Sequence, residues 1–143
     1  RVRTPVIKQS LMGTSKTPFE AQAEGRTAGN ALGQSYGMLN NRAGIDLQER
    51  TFESNYRYDI LPVAHIHDAQ YFLVRDDVDV VNWLNINLVA CMEWQELPEI
   101  QHPDVGLGGE LSLFHPSWEK EIVLVNNASN ELIKQRVRDA LAA

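Results

Sequence analysis

A single cysteine, Cys91, stands among 143 residues, so no disulfide can close within the chain, and a reducing compartment suits it. The expected role of Cys91 is a small buried apolar residue on a helix. There is no run of eighteen apolar residues to cross a bilayer, and the opening Arg1-Val-Arg-Thr-Pro5 has no apolar signal core. A soluble protein of the cytoplasm, with no membrane partner, is the expectation. An initiator Met is also missing, which suggests a start inside a longer translated product, or processing. Repeats and low-complexity tracts are absent. Basic residues are scarce: 13 Lys and Arg face 19 Asp and Glu, a net charge of −6. That balance argues against a free-standing nucleic-acid binder, because phosphate contacts need cations. The shortage is uneven. Residues 1–58 carry eight basic and five acidic side chains, whereas residues 59–143 carry five and fourteen. Surface solubility accounts for such an asymmetry as well as a partner does.

An apolar fraction of 43% is enough for one core in one domain. Residues 1–13 read as a short extended piece and Gly13-Thr-Ser-Lys-Thr17 as a loop. A helix starts after it, because Thr17-Pro18-Phe19-Glu20 is a capping box with proline at the first helical position. Gly25, Gly29, Gly33 and Gly37 then recur every four residues, each costing about 1 kcal/mol relative to Ala in a helix interior. The spacing gathers them on one stripe from which side chains are missing. Either another element packs tightly there, or a ligand approaches the backbone. Beside it Arg26, Asn30 and Gln34 form a second row at i, i+4 and i+8. Such donors match purine N3 and pyrimidine O2, the acceptors common to all base pairs in the minor groove, and equally suit a solvated face. The helix is expected over residues 18–43, followed by a broken helical remainder and a loop over Gly44 to Asn55.

Residues 59–75 read as a hairpin. Apolar β-formers, Ile60 to Ile66 and Tyr71 to Val74, flank His67-Asp68 at the tip, and Pro62 marks a strand beginning or an edge. Strict alternation puts Leu61, Val63, His65 and His67 on one side and Ile60, Ala64 and Ile66 on the other. Asp76-Asp77 suits a helix start, and Val81, Leu84, Leu88 and Met92 fall at helical spacing over residues 77–94, with Trp83 and Trp94 as packing residues. A strand over Gly108 to Phe114, a second over Glu121 to Val125, and a last helix from Asn130 to about Leu141, capped by Ser129, complete the region 107–143. In that helix Leu132, Val137 and Leu141 are expected to face inward. The class is α+β, an antiparallel sheet packed with helices.

The ordered set Arg26-x-x-x-Asn30-x-x-x-Gln34, then His67-Asp68 in a hairpin, then Asp76-Asp-Val-Asp79 opening a helix, resembles the carboxy-terminal palm of family A DNA polymerases, the bacterial DNA polymerase I type, with wording closest to the tailed-phage branch. The resemblance covers residues 1–118 and lapses after that. It implies a palm-type sheet within a larger polymerase fold. Asp68 then matches the catalytic aspartate that binds Mg²⁺, His67 the residue that supports the primer end, and Arg26, Asn30 and Gln34 the contacts to the primer–template minor groove. A carboxylate is a hard oxygen ligand suited to Mg²⁺, and two such ions would activate the primer hydroxyl and stabilise the leaving pyrophosphate of an incoming dNTP.

Two departures qualify it. Ala69 replaces the glutamate that the family commonly has after His-Asp, and the family's other metal-binding aspartate and its fingers helix match nothing in residues 1–18. The resemblance therefore implies a fragment or split subunit of a DNA-directed DNA polymerase, inactive alone. The second carboxylate, the remaining palm, the fingers and the thumb would come from a companion polypeptide, in a bacterial host cell if the gene is a phage's. Two alternatives stay open: a small metal-dependent hydrolase using His65, His67 and Asp68 with His102 or His115, and a non-catalytic DNA-contacting subunit. For His65 the structural expectation is packing or a hydrogen bond within the strand.

Overall fold

A computed structural model describes residues 17–142; the side chains of Leu32, Gln34, Ser35, Tyr36 and Glu99 lie outside that description. The extended piece expected over residues 1–13 and the loop up to Lys16 fall outside it too. The described chain is mixed α+β. Helix α1 spans Pro18–Glu53, a hairpin joins β1 (Ile60–Ile66) to β2 (Ala69–Val74), and α2 covers Val78–Met92. After a 3-10 turn at Pro98–Ile100 come β3 (Ser112–Phe114), β4 (Glu121–Val123) and α3 (Asn130–Ala142). The strands make two separate two-stranded antiparallel sheets. No described helix is long and apolar enough to cross a membrane. The chain divides into two compact units, with the boundary between Asn40 and Asn41, inside α1.

In the first unit, α1 is started by its cap: the Glu20 amide donates to Thr17 Oγ1 at 3.2 Å, and the Ala21 amide donates to the Thr17 carbonyl. The helix runs to Glu53 and does not break near residue 43 as expected. The reason is tertiary. Ala43, Leu47 and Thr51, at helical spacing, are all buried, and the first two belong to the core of the second unit. Burial at those positions outweighs the poor intrinsic preference of Gly44, Asp46 and Thr51 for helix. At Gly44 a β-carbon would lie 3.0 Å from the amide of Gln70, so the glycine admits that side chain.

The core of the second unit is built around α2, which contributes Val80, Val81, Leu84, Leu88 and Cys91 and meets Ile60 of β1, Leu111, Ile122, Leu124, Ala128 and Ile133. Asp77 caps α2, with extended backbone and a carboxylate accepting from the Asp79 amide at 2.9 Å. Asn85 is 0% exposed, and its Nδ2 donates to the Val125 carbonyl at 2.8 Å, fixing the segment after β4 onto α2. Asn82 does the same to the Ala128 carbonyl. Trp83 packs against Tyr56, ring centroids 5.7 Å apart, and Trp94 lies beneath the Arg42 guanidinium, 3.4 Å from its centroid.

Helix α3 is rotated from its expected setting. Ile133 is buried with Val137 and Ala140 packed against the core, while Leu132 and Leu141 are exposed. The stripe Ile133, Val137, Ala140 follows the i, i+4, i+7 rule, which the set Leu132, Val137, Leu141 does not. The terminal strands are shorter than expected, three residues each, in the register Ser112↔Val123, Leu113↔Ile122 and Phe114↔Glu121.

Candidate functional site

In the hairpin, Ile66 pairs with Ala69, which leaves His67 and Asp68 as a two-residue turn. The φ of His67 is +56°, and Asp68 has no positive φ. Positive φ at the first central residue alone is the pattern of a type II′ turn, whose twist matches that of the strands it joins. Histidine is among the few non-glycine types enriched at positive φ, at a cost of about 1 kcal/mol. The turn is therefore held in a conformation that glycine would adopt more readily. Both side chains are exposed.

The register is not regular. Pro62 pairs with Phe72 and Ala64 with Tyr71, so Val63 is an extra residue, a β-bulge. Residues beyond it exchange sides. Cross-strand partners share a face, which puts Ile60, Pro62 and His65 with Val74, Phe72 and Gln70. This is the core side: Ile60 is 2% exposed, and Phe72 and Val74 pack on the core. The other side carries Leu61, Ala64 and Ile66 with Leu73, Tyr71 and Ala69, and it is open to solvent. Leu61 and Ile66 are each 50% exposed and Leu73 63%. The expected common face of His65 and His67 is thus corrected twice. The bulge moves His65 to the Ile60 side, and His67 leaves the strand for the turn. The base of the hairpin is closed by the Arg75 amide donating to the Asp59 carbonyl at 2.9 Å and by an Arg75–Asp59 ion pair at 3.0 Å.

Three other carboxylates near Asp68 in sequence have structural partners. Asp59 holds Arg75, Asp77 caps α2, and Asp79 accepts from Asn130 Nδ2. Position 69 is alanine at the first residue of β2. His102 accepts through Nδ1 from the Asp104 amide at 3.1 Å, a local turn contact, and His115 lies in the β3–β4 connection, where its amide donates to the Lys120 carbonyl. Among the described residues no three His, Cys, Asp or Glu side chains come together as a metal-binding group. Asp68 thus offers one hard oxygen donor group of a kind that fits Mg²⁺, and the described chain supplies no complete site.

In the first unit, Arg26 and Asn30 are exposed on α1, and the side chain of Gln34 lies outside the description. A β-carbon placed on Gly25, Gly29, Gly33 or Gly37 would meet nothing within 4 Å.

A cluster outside the expected set joins the open face of the hairpin. Trp118 stacks on Tyr71, centroids 5.1 Å apart and planes at 21°, and on Phe114 at 5.4 Å and 17°. A weak sequence signal existed in the alternation of Tyr71-Phe72, which sends adjacent rings to opposite sides, but the bulge and the partner loop carry the rest. Searches among family models, curated proteins and solved structures found no match to this chain.

Proposed function

We propose that the chain is the carboxy-terminal palm segment of a split or processed DNA polymerase, working in template-directed nucleotidyl transfer with a companion polypeptide. The carrying observation is the His67-Asp68 turn. A carboxylate stands exposed at the tip of an antiparallel hairpin, beside a histidine held at a φ of +56°. Non-glycine residues at positive φ persist where the surrounding structure enforces them, and such positions gather at functional sites. The motif order that resembles a family A palm gives this turn its role. Asp68 would hold Mg²⁺ together with a carboxylate of the companion, and His67 would support the primer end.

Two further features support the reading. The glycine stripe of α1 meets open space, and Arg26 and Asn30 are exposed, so a duplex minor groove could approach the backbone closely with donors alongside. The apolar outer face of the hairpin, Leu61, Ile66 and Leu73, suits burial by more polypeptide, because a two-stranded hairpin is marginal by itself. The small-hydrolase alternative needs a His-x-His face and a third ligand, and the bulge and the missing cluster deprive it of both.

The test is Mg²⁺-dependent primer extension by the chain mixed with its companion, identified by mass spectrometry of what co-purifies. Asp68→Asn should abolish extension without changing the circular dichroism. Full extension by that variant would refute the catalytic reading and leave the DNA-contacting subunit in its place.

A further inference from the structure

We propose that the Tyr71–Phe114–Trp118 stack, rimmed by Glu119 and Glu121, is a docking site for a basic polypeptide segment that lays Lys or Arg side chains on the rings and apolar side chains on the neighbouring hairpin face. The rings come from three places in the chain: β2, β3 and the β3–β4 connection. Trp118 makes both stacking contacts and is still 68% exposed. Tyr71 shares the outer side of the hairpin with Leu61, Ala64, Ile66 and Leu73, so the aromatic shelf runs on from an apolar face. Contiguous exposed apolar surface of this kind marks interaction sites.

Charge selects the occupant. Glu121 is the direct cross-strand partner of Phe114, so its carboxylate lies on the same face as that ring, and Glu119 follows Trp118. Lys120 is the single cation of the loop and is half-buried. Residues 41–143 carry eight basic and 17 acidic side chains, a net of −9. A cation over a ring face is attracted by the ring quadrupole, most strongly on tryptophan, and flanking carboxylates add to that attraction. A nucleobase also stacks on such rings, but its phosphates would be set against Glu119 and Glu121. A second copy presenting this same acidic unit would bring like charge to like charge.

Because the site needs no catalysis, it stands apart from the polymerase reading. The full chain is titrated into a short fluorescein-labelled peptide of alternating arginine and leucine, followed by anisotropy. A glutamate–leucine peptide and oligothymidylate serve as comparators, and sedimentation equilibrium reports self-association. The arginine–leucine peptide should bind, and raised salt should weaken it. Trp118→Leu, which keeps apolar area but loses the ring, should weaken binding about tenfold, as expected for a cation–π contact with its stacking area. Glu119→Gln with Glu121→Gln should weaken it several-fold and flatten the salt dependence, whereas Asp68→Asn should leave it unchanged. Trp118 is largely exposed, so the variants should keep the wild-type circular dichroism. Unchanged affinity in Trp118→Leu would overturn the proposal. So would Trp118-dependent binding of oligothymidylate in place of the peptide, or self-association lost in that variant.

Discussion

Replacing Gly29 and Gly33 with alanine separates what α1 needs as a helix from what its bare stripe is for. A β-carbon at either position meets no atom within 4 Å, so the substitution brings no clash. Both sites are exposed and inside a 36-residue helix. With steric and packing effects removed, the helix preference of alanine over glycine remains, about 1 kcal/mol per site, or about 2 kcal/mol for the pair. The double variant should therefore gain helicity at 222 nm and resist urea better than the parent. If the stripe exists to admit a duplex minor groove, two methyl groups on it should lower affinity for a primer–template in the assembled enzyme at least several-fold. A nearby conservative control, Thr27→Ser, should change neither. Fluorescence anisotropy with labelled duplex at fixed salt reads the second effect. Gained stability with unchanged affinity would refute the functional reading, because the chain would be forgoing helix stability for nothing that touches DNA. Lost stability would refute the open-stripe geometry itself.

At Gly109 a β-carbon would come within 2.5 Å of Met92 Cβ on α2, so Gly109→Ala should destabilise the second unit by about 1–3 kcal/mol in urea melts; a neutral result would show that this loop does not lie on α2 as described. His67→Gly should stabilise the hairpin by up to about 1 kcal/mol by relieving the positive φ, while reducing primer extension by the assembled enzyme, and a loss of stability would contradict the turn geometry. Burial raises the Cys91 thiol above its ordinary value of 9.0, outweighing the nearby Arg50. The folded chain then holds that proton more tightly than the unfolded chain. Its contribution to stability is complete below pH 9.0 and is lost as pH rises through the elevated folded value. Native protein at pH 8 should accordingly react with iodoacetamide only as fast as it unfolds, and rapid alkylation in the folded state would place Cys91 at the surface.

Local chemistry made much of the fold legible. The Thr17-Pro18 cap, the Asp77 cap and the Ser129 cap are all read from short polar side chains ahead of helical runs, and each acts within three residues of itself. The mixed α+β class follows from the same alternation of signals. Legibility fails where the deciding contact is remote in sequence. The continuation of α1 to Glu53 depends on Leu47 meeting a core assembled from residues up to 133, and the rotation of α3 depends on which of two adjacent apolar residues, Leu132 or Ile133, that core accepts.

The bulge at Val63 has the widest consequence for the candidate site. Two contiguous residues on β1 answer one on β2, and no composition rule singles out Val63 among Pro62, Val63 and Ala64. A proline cannot donate to the ladder, so a strand carrying Pro62 has reason to lose register there. Once it does, His65 turns from the outer face toward the core side, opposite Gln70, and the pair His65 and His67 ceases to be a bidentate metal motif. The same shift sets Ala64 opposite Tyr71 and so leaves a methyl group, where regular pairing would put the isopropyl group of Val63, beside the ring that stacks on Trp118. Bulging one residue out of the ladder thus takes one candidate ligand away from the outer face and sets the smaller Ala64 beside the aromatic shelf. Deleting Val63 should restore regular alternation. In that variant the residues on either side keep their partners, Pro62 opposite Phe72, Ala64 opposite Tyr71 and His65 opposite Gln70, so both faces of the hairpin stay as they are and only the local bend and extra twist of the bulge are lost. Loss of that bend should move Tyr71 relative to Trp118 and lower the stability of the second unit in urea melts, and a deletion variant as stable as the parent would show that the bulge is incidental to both sites.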